Sequence, residues 1–218
     1  LPIERSCEES FQPRWFHRNL SDERAAKLSE LAAAEQCSLD DILFAAWVIL
    51  LRRLTDKQKF AIHIAADGRE YDELSGVLGP FTQCLPLPLE LTLENYVKDC
   101  RQKVADNRKR LLDLQETCPV ELAAGGHQPA TLIFESACLP SSQRVAESRW
   151  SVEQVSACAA PFKFQLSCVR MDNVWLLEFG YDAGHVTGHQ AVLLADRYQT
   201  LLDELVARQG QSMAGKQK

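Results

Sequence analysis

Residues 73–91 read ELSGVLGPFTQCLPLPLEL, and this stretch decides how the rest of the chain is organised. Gly76 and Gly79 supply the backbone freedom that a tight turn needs at its start. Beyond them, leucines alternate with prolines over residues 85–89, a period of two that predicts a strand with one apolar face. Because proline donates no hydrogen bond to a sheet, we expect this strand to be an edge, a bulge or a segment that crosses out of its sheet.

The composition is that of one ordinary globular domain. The 218 residues are 46% hydrophobic and 25% charged, enough for a core that needs no disulfide or metal. The net charge of -6 argues against nucleic acid or an anionic membrane as the main partner. The eight cysteines are scattered, with no pair at metal-ligand or CxxC spacing. We therefore expect a cytoplasmic protein whose cysteines are small buried side chains, with no metal and no cofactor of its own.

Two helices and a strand are predicted before residues 73–91. Ser21 can cap the first helix, and Ser38 with Asp41 forms a capping-box pattern at the start of the second. Nearly every residue over 42–51 is apolar, which predicts a helix buried on all sides. The strand over residues 60–66 then places its phenylalanine and isoleucines on one face and its histidine on the other.

After residues 73–91, a long helix is predicted from about Thr92 to Gln115. Its basic residues, among them Arg108, lie mostly away from the apolar stripe. They are interpreted as a solvated surface, with a docking surface for an acidic partner as the alternative. The remaining predicted elements are a short strand over 130–134, a polar loop over 140–148, strands over 150–157, 162–168 and 175–181, and a final helix that Thr187 and Gln190 cap.

The sum of these elements predicts an α/β (α+β) two-layer sandwich, in which a mixed sheet has helices packed on one face. One domain is expected over residues 1–208. Residues 209–218 are expected to form a polar tail or linker.

Several ordered segments of this chain match one family pattern. Leu78 to Leu87 read LGPFTQCLPL and follow the turn Asp67-Gly68-Arg69, and a late strand ends in Tyr181-Asp182 before the last helix. This order resembles the C-terminal lobe of condensation domains from nonribosomal peptide synthetases, whose pattern after a GR-containing turn is close to (I/V)GxFVNTLPLR. The resemblance covers about residues 1–208. It implies one lobe of the two-lobed chloramphenicol-acetyltransferase-like fold, in which two carrier-bound substrates are joined in a tunnel between the lobes.

The resemblance also implies a role for one segment within residues 73–91. The segment resembles the strand of the family that crosses from this lobe towards the other, and it comprises Gly79, Pro80, Phe81, Thr82, Gln83 and Cys84. Such a crossing would explain the prolines, because the strand would leave its own sheet. The family's catalytic histidine belongs to an HHxxxDG motif in the N-terminal lobe, which these residues do not include. The resemblance therefore implies no catalytic residue here, and phosphopantetheine only on a partner carrier protein.

Two departures from the family pattern affect regions that would border the tunnel. The family's VNT is Thr82-Gln83-Cys84 here. The family's (H/N)QDxPFE is represented by residues 114–121, where Pro119 and Glu121 remain but the His and Asp do not. Both departures put the handling of substrate in doubt, although glutamine in place of asparagine keeps an amide.

His63 and Asp67 form the one local pattern that could act as a general base. Residues 62–68 read IHIAADG, which is the family's catalytic motif without its first histidine. General-base chemistry needs such a histidine within hydrogen-bond reach of the attacking amine. This pattern is followed by residues 73–91 and not by a helix of the N-terminal lobe, so the favoured interpretation is that His63 is a structural residue.

Three functions remain open from the sequence. The first is a noncatalytic half condensation domain, a structural or docking module for an adjacent adenylation or carrier domain. The second is a fragment or subunit of an active condensation enzyme whose catalytic lobe is supplied elsewhere. The third is an acyltransferase that uses His63 by itself. An uncovered lobe face would be apolar, so docking or self-association through it is also expected.

Overall fold

The computed structural model describes residues 10–55, 57–69, 71–74, 76–79, 81–90, 98–113, 132–139, 142–145, 147–151, 158–172 and 174–214. The described elements are β1 (Pro13–Leu20), α1 (Asp22–Ala34), α2 (Leu39–Thr55), β2 (Lys59–Ala66), β3 (Gln83–Glu90), α3 (Lys98–Asp113), β4 (Leu132–Leu139), β5 (Ser142–Val145), β6 (Ser148–Ser151), β7 (Phe164–Met171), β8 (Val174–Asp182) and α4 (Gly188–Ala214).

Six of the strands form one mixed sheet in the order β1-β8-β7-β4-β2-β3, and β5 pairs with β6 in a separate ribbon. The β2–β4 and β4–β7 pairs are parallel, and the other pairs are antiparallel. The large core lies between one face of this sheet and the helices. This arrangement confirms the predicted two-layer fold.

Helix α2 is the centre of that core. All residues from Ile42 to Leu51 are buried, as the unbroken apolar run predicts. The Trp47 ring lies 5.9 Å from the rings of both Phe164 on β7 and Tyr198 on α4. The Tyr198 hydroxyl in turn donates a hydrogen bond of 2.9 Å to the Leu43 carbonyl. Helix α2 is therefore held between the sheet and the other helices. No helix in the described part of the chain is long and apolar enough to cross a membrane.

The predicted helix caps are present. Ser21 Oγ accepts a hydrogen bond from the Arg24 amide at the start of α1. At the start of α2, Ser38 Oγ accepts from the Asp41 amide at 3.1 Å, and the Asp41 carboxylate accepts from the Ser38 amide at 3.1 Å. Thr187 makes the same reciprocal pair with Gln190 before α4. Each pair satisfies amides that a helix start leaves without partners.

We expect Ser38→Ala to lower the free energy of unfolding by about 1 kcal/mol. The substitution removes the acceptor of the Asp41 amide and the hydroxyl that donates to Asp41 Oδ2 at 2.6 Å. Urea unfolding measures the change. Ser29→Ala is the matched control, because the exposed Ser29 hydroxyl only donates back to the Ala25 carbonyl inside α1. Equal stability of the Ser38 and Ser29 variants would contradict the expectation.

The position of strand β3 explains how the sheet accommodates its two prolines. It lies at the edge of the sheet, and each of its residues pairs with β2, Pro86 opposite His63 and Pro88 opposite Ala61. The edge interpretation is confirmed, and residues 83–90 stay in their own sheet along their whole length. The crossing of residues 79–84 towards a second lobe stays a prediction. On an edge, a residue without an N–H group leaves no neighbouring strand without a donor, so prolines are tolerated there.

Two predicted surface features differ in the structure. The predicted polar loop over 140–148 contains β5 and the start of β6. The sequence did not predict these strands, because a short polar ribbon shows no alternation of apolar residues. Arg108 is not solvated: its Nη1 lies 2.9 Å from Asp41 Oδ1, and both side chains are only 17% exposed. An acidic residue at the start of α2 thus holds α3 against it.

Several other predictions fall on residues beyond those described. Residues 92–97 and 114–121, with the predicted start of α3 and the second family departure, lie outside the described residues, as do 152–157 and 215–218. Helix α4 continues to Ala214, six residues beyond the expected domain end at residue 208. The division at residue 208 stays a prediction.

Candidate functional site

The face of the sheet away from the helices carries polar side chains along its centre. On β7, Phe164, Leu166 and Cys168 pack into the helical layer, so the alternating Gln165 and Ser167 lie on the opposite face. The sequence shows these two as polar positions, which suits a solvated face. In the structure both are only 2% exposed.

The strand register aligns four of these polar residues in one row across the sheet. Ser167 lies opposite Glu135 on β4 and Glu178 on β8, and Glu178 lies opposite His17 on β1. Neighbouring strands are about 4.8 Å apart, so side chains in one row can contact each other. We call the helix-free face around Glu135, Gln165 and Ser167 the polar face.

A closed hydrogen-bond network joins these three residues. Glu135 Oε2 accepts from Gln165 Nε2 at 3.0 Å and from Ser167 Oγ at 2.9 Å. Gln165 Nε2 also donates to Ser167 Oγ at 2.9 Å. Burial raises the pKa of the Glu135 carboxyl, and the hydrogen bonds from Ser167 and Gln165 offset only part of that shift. Glu135 is thus a partly desolvated acid whose orientation two buried neighbours fix.

Aromatic rings cover part of the polar face beside this network. Phe162 lies 5.3 Å from Phe11 and 5.2 Å from Trp15, both in edge-on contact. Trp15 crosses the sheet over Gly180, where an added Cβ would come within 2.3 Å of the Trp15 ring. Phe162 also packs with Cys84 and Ile133 in a second, smaller core. The glycine therefore makes room for a ring over β8, at the position that pairs with Gln165.

His63 lies on the polar face, opposite Pro86 on one side and Ile133 on the other. Burial lowers the pKa of its imidazole, and a backbone hydrogen bond at Leu132 offsets part of the shift. His63 Nδ1 is buried and has no hydrogen-bond partner among the described residues. The ring is therefore held mainly in its neutral form.

The structure does not bring Asp67 to the His63 ring. Asp67 Oδ1 lies 2.6 Å from Arg69 Nη1, and the Asp67 side chain is 71% exposed. Within the described part of the chain, no hydrogen bond joins Asp67 to His63. The spacing of the pattern suggested a paired acid and base, but the turn after β2 directs the acid to its arginine neighbour.

Arg69 ties that turn to the segment that precedes β3. Its Nη2 donates to the Gly79 carbonyl at 2.9 Å, and its guanidinium lies 4.7 Å from the centre of the Phe81 ring. Gly68, at φ +72°, lies directly under the Phe81 carbonyl. The resemblance to the GR turn thus corresponds to a physical connection between residues 67–69 and 79–81.

The six residues assigned as a crossing segment divide between a loop and β3. Gly79, Phe81 and Thr82 precede the strand, Pro80 lies outside the described residues, and Gln83 and Cys84 begin β3 opposite Ala66 and Ala65. By alternation, Gln83 faces the helical layer with the leucines, whereas Cys84 lies on the polar face. Only the second of these two substituted positions therefore borders the polar face.

The cysteines follow their expected burial in part. Cys84 and Cys168 are buried, Cys37 is half-buried, and Cys138 and Cys158 are exposed. Burial, together with the nearby Glu135 and Cys158, raises the pKa of the Cys84 thiol to about 11. Cys84 is thus a protonated, unreactive side chain at neutral pH. Cys7 and Cys118 and the side chain of Cys100 lie outside the described part of the chain.

Sequence reasoning placed Gln165 and Ser167 on one strand but did not identify their acidic partner. The predicted strand over 130–134 ended one residue before Glu135, which lies inside β4. Residues 132–136 read LIFES, three apolar residues and then two polar ones, so no alternation signals that the strand continues through position 135.

Comparison with known proteins supports the family resemblance. A family model described as "Condensation domain" matches residues 1–214. Over 123 residues, 55% of this chain, the sequence is 26% identical to a linear gramicidin synthase protein of Brevibacillus parabrevis, of which the match covers 2%.

Two solved structures show the same fold. The first condensation domain of the CDA synthetase matches with a TM-score of 0.72 and 17% identity, over 93% of this chain and 46% of that one. A four-domain nonribosomal peptide synthetase bound to AMP and glycine matches with a TM-score of 0.73 and 15% identity, over 90% of this chain and 17% of that one. This chain thus spans less than half the length of either structure. It belongs to the condensation-domain family and has the fold of one lobe of the condensation domain it matches.

Proposed function

We propose that this lobe holds no complete reaction centre and serves as a structural and docking module for an adjacent adenylation or carrier domain. It would act in the cytoplasm in the biosynthesis of a peptide natural product, with phosphopantetheine present only on the carrier. The observation that carries the proposal is the separation of His63 from Asp67, whose carboxylate pairs with Arg69 at 2.6 Å. No acid among the described residues would stabilise the imidazolium that His63 forms on taking a proton, so the ring is a poor general base.

The segment between β2 and β3 supports the docking role. It exposes three large apolar side chains, with Leu78 99% exposed and Val77 and Tyr71 about half exposed. Arg69 holds this segment through its hydrogen bonds to the carbonyls of Val77 and Gly79. Exposed apolar side chains on a fixed segment are suited to contact with another protein surface. The matched four-domain synthetase carries further domains in the same chain.

We expect this chain alone to form no peptide bond between two carrier-bound aminoacyl substrates in a single-turnover assay, and His63→Ala to change nothing. The reason is that no acid among the described residues pairs with the His63 ring. Product is measured by mass spectrometry of the carrier-bound thioesters. Peptide formation by the unmodified chain that His63→Ala abolishes would overturn the proposal and favour a self-sufficient acyltransferase.

The docking role has its own binding measurement. Calorimetry would titrate the chain with the adenylation or carrier domain of its own synthetase, and Leu78→Asp would weaken that binding. Leu193→Asp is the matched control, because Leu193 is an exposed leucine on α4, 44% exposed. Light scattering across concentration tests whether a second copy of this chain is the partner instead. Equal binding by the two variants, or a stable dimer, would contradict docking through Leu78.

A second candidate is the C-terminal lobe of an active condensation enzyme, with the catalytic lobe supplied elsewhere. The polar face favours it, because a wall of a substrate channel needs oriented polar groups such as Gln165 and Ser167. Adding an N-terminal lobe that contains HHxxxDG to the single-turnover assay separates the two candidates. Peptide formed only by the mixture would support the second candidate and exclude a purely structural role.

A further inference from the structure

The six-stranded sheet has two edges, and only one of them keeps its backbone donors. Strand β3 forms one edge and carries Pro86 and Pro88, which have no N–H group. Strand β1 forms the other edge, and each of its residues after Pro13 carries an N–H group. On an edge strand, the polar backbone groups of alternate residues point away from the sheet. No described strand pairs with the outer side of β1, so β1 is the edge that can accept a further strand.

Three side chains of β1 define what such a strand would have to match. Leu20 lies in the core beneath the helices and Phe16 packs against that core, so Arg14 and Arg18 share the same face by alternation. The Phe16 ring stacks on Phe179 with 5.3 Å between ring centres, and the Arg18 guanidinium lies 5.4 Å from the centre of the Phe16 ring. This face of β1 therefore presents arginine, phenylalanine and arginine at every second residue.

The neighbouring strand supplies no acid to these two arginines. The residues of β8 that pair with this face are aromatic or aliphatic: Tyr181, Phe179 and Leu177. Arg14 is exposed and has no ion-pair partner among the described residues. Arg18 Nη2 lies 3.7 Å from Asp196 Oδ1 on α4, but the Asp196 side chain is 57% exposed, so this ion pair contributes little. Both arginines can therefore pair with carboxylates on a strand that lies along the outer side of β1.

We propose that the outer edge of β1 binds an extended segment of another protein in which two acidic residues flank an apolar one, at every second position. The backbone of the segment would complete hydrogen bonds along the edge, and alternate side chains would provide the specificity. Its carboxylates would lie opposite Arg14 and Arg18, and its apolar side chain would cover the half-buried Phe16. Strand β1 lies at the opposite end of the sheet from β3, so this inference does not depend on docking through Leu78.

A second copy of this chain is a poorer occupant of the same edge. An antiparallel pair of β1 strands centred on Phe16 would place Arg14 of each chain opposite Arg18 of the other. A parallel pair in register would place each arginine opposite its own counterpart. Like charges directly opposite each other destabilise a sheet. The arginines thus protect the edge against self-association, as charges on edge strands commonly do, and the same charges attract an acidic segment.

Two heptapeptides test the charge of the occupant. Both are acetylated at the first residue and amidated at the last, and one reads TETVTET whereas the other reads TKTVTKT. Each is titrated into the 218-residue chain, and NMR follows both the binding and the hydrogen exchange of individual amides. We expect the acidic peptide to bind about tenfold more tightly than the basic one at low salt. It should also slow the exchange of the β1 amides over residues 14–20.

Charge reversal on β1 gives a graded test. Arg14→Glu alone should abolish the preference, because one position then favours each peptide, and Arg14→Glu with Arg18→Glu should reverse it. Lys109→Glu with Arg110→Glu, at two exposed residues of α3, changes the net charge equally and should keep the wild-type preference. The comparison of the two peptides on the wild-type chain stands even if the double variant of β1 unfolds. Equal binding of the two peptides to the wild-type chain, slowed exchange at β3 instead of β1, an acidic preference that survives in Arg14→Glu, or a dimer of the wild-type chain in light scattering that both peptides leave intact would each overturn the proposal.

Discussion

Replacing Gly68 with alanine is expected to lower the free energy of unfolding by about 3 kcal/mol. Gly68 has a φ of +72°, and an added Cβ would lie 2.2 Å from the Phe81 carbonyl oxygen. The left-handed backbone alone costs a non-glycine residue about 1–2 kcal/mol. The remainder comes from the contact with a backbone atom, which cannot rotate away as the end of a side chain could.

The substitution should also loosen the segment before β3. Arg69, the next residue, holds the Gly79 carbonyl and stacks on Phe81, so a displaced turn would separate these contacts. Urea unfolding gives the stability change, and hydrogen exchange of residues 81–84 shows whether the start of β3 opens. Gly76→Ala is the matched control, because a Cβ there meets no atom within 4 Å. Equal stability of the two variants would show that the turn tolerates a side chain.

Local patterns in the sequence predicted those parts of the fold that depend on neighbours along the chain. The apolar run of α2 and the reciprocal pairs Ser38–Asp41 and Thr187–Gln190 involve residues within one or two helical turns of each other. Spacing along the chain fixes whether such residues meet, so sequence reasoning identified them. The prolines of β3 limited it to an edge, a bulge or a crossing segment, but the sequence did not decide among the three, and the pairing with β2 shows the edge.

The polar face could not be predicted in this way, because its contacts join distant residues. Glu135 meets Gln165 and Ser167 only because β4 and β7 pair in parallel with Glu135 opposite Ser167. A shift of one residue in that register would send Glu135 to the helical layer. Arg108 likewise needed the packing of α3 on α2 before its partner Asp41 could be known.

The pattern at His63 and Asp67 shows the opposite limitation, since correct spacing did not produce the expected contact. Both residues lie within five positions of the chain, but Asp67 falls just past the end of β2. There it is two residues from Arg69, and the shorter connection favours the ion pair. A motif of catalytic residues therefore predicts chemistry only where the backbone also directs the side chains together.

The Asp182 side chain links two segments of the chain at the end of the sheet. It is 3% exposed, and its Oδ1 accepts hydrogen bonds from the amides of Gln12 and Gly184, both at 3.0 Å. Its Oδ2 lies 2.7 Å from Nδ1 of His185. The carboxylate thus joins the segment before β1 to the turn that leads into α4, which is the physical content of the Tyr181-Asp182 resemblance.

We expect Asp182→Ala to lower the free energy of unfolding by about 3 kcal/mol, because two amide donors lose their acceptor. Asp182→Asn should cost about half as much, since its amide oxygen can still accept from the two amides. Asp196→Asn, at an exposed carboxylate of α4 that lies 3.7 Å from Arg18, should change stability by less than about 0.5 kcal/mol. Urea unfolding at neutral pH compares the three variants, and equal losses in all of them would contradict the role of the buried carboxylate.

The pH dependence supplies an independent test of the same carboxylate. Burial by itself would raise the pKa of Asp182, but hydrogen bonds from the Gln12 amide, His185 and the Gly184 amide outweigh it and lower the pKa. A lowered folded-state pKa means that this stabilisation is fully present above the unfolded value, near pH 3.9, and is lost as the pH falls through the folded value. The stability difference between wild type and Asp182→Asn should therefore stay constant above about pH 5 and shrink below about pH 4. A difference that persists unchanged in acid would place the loss in packing and not in the charge of Asp182.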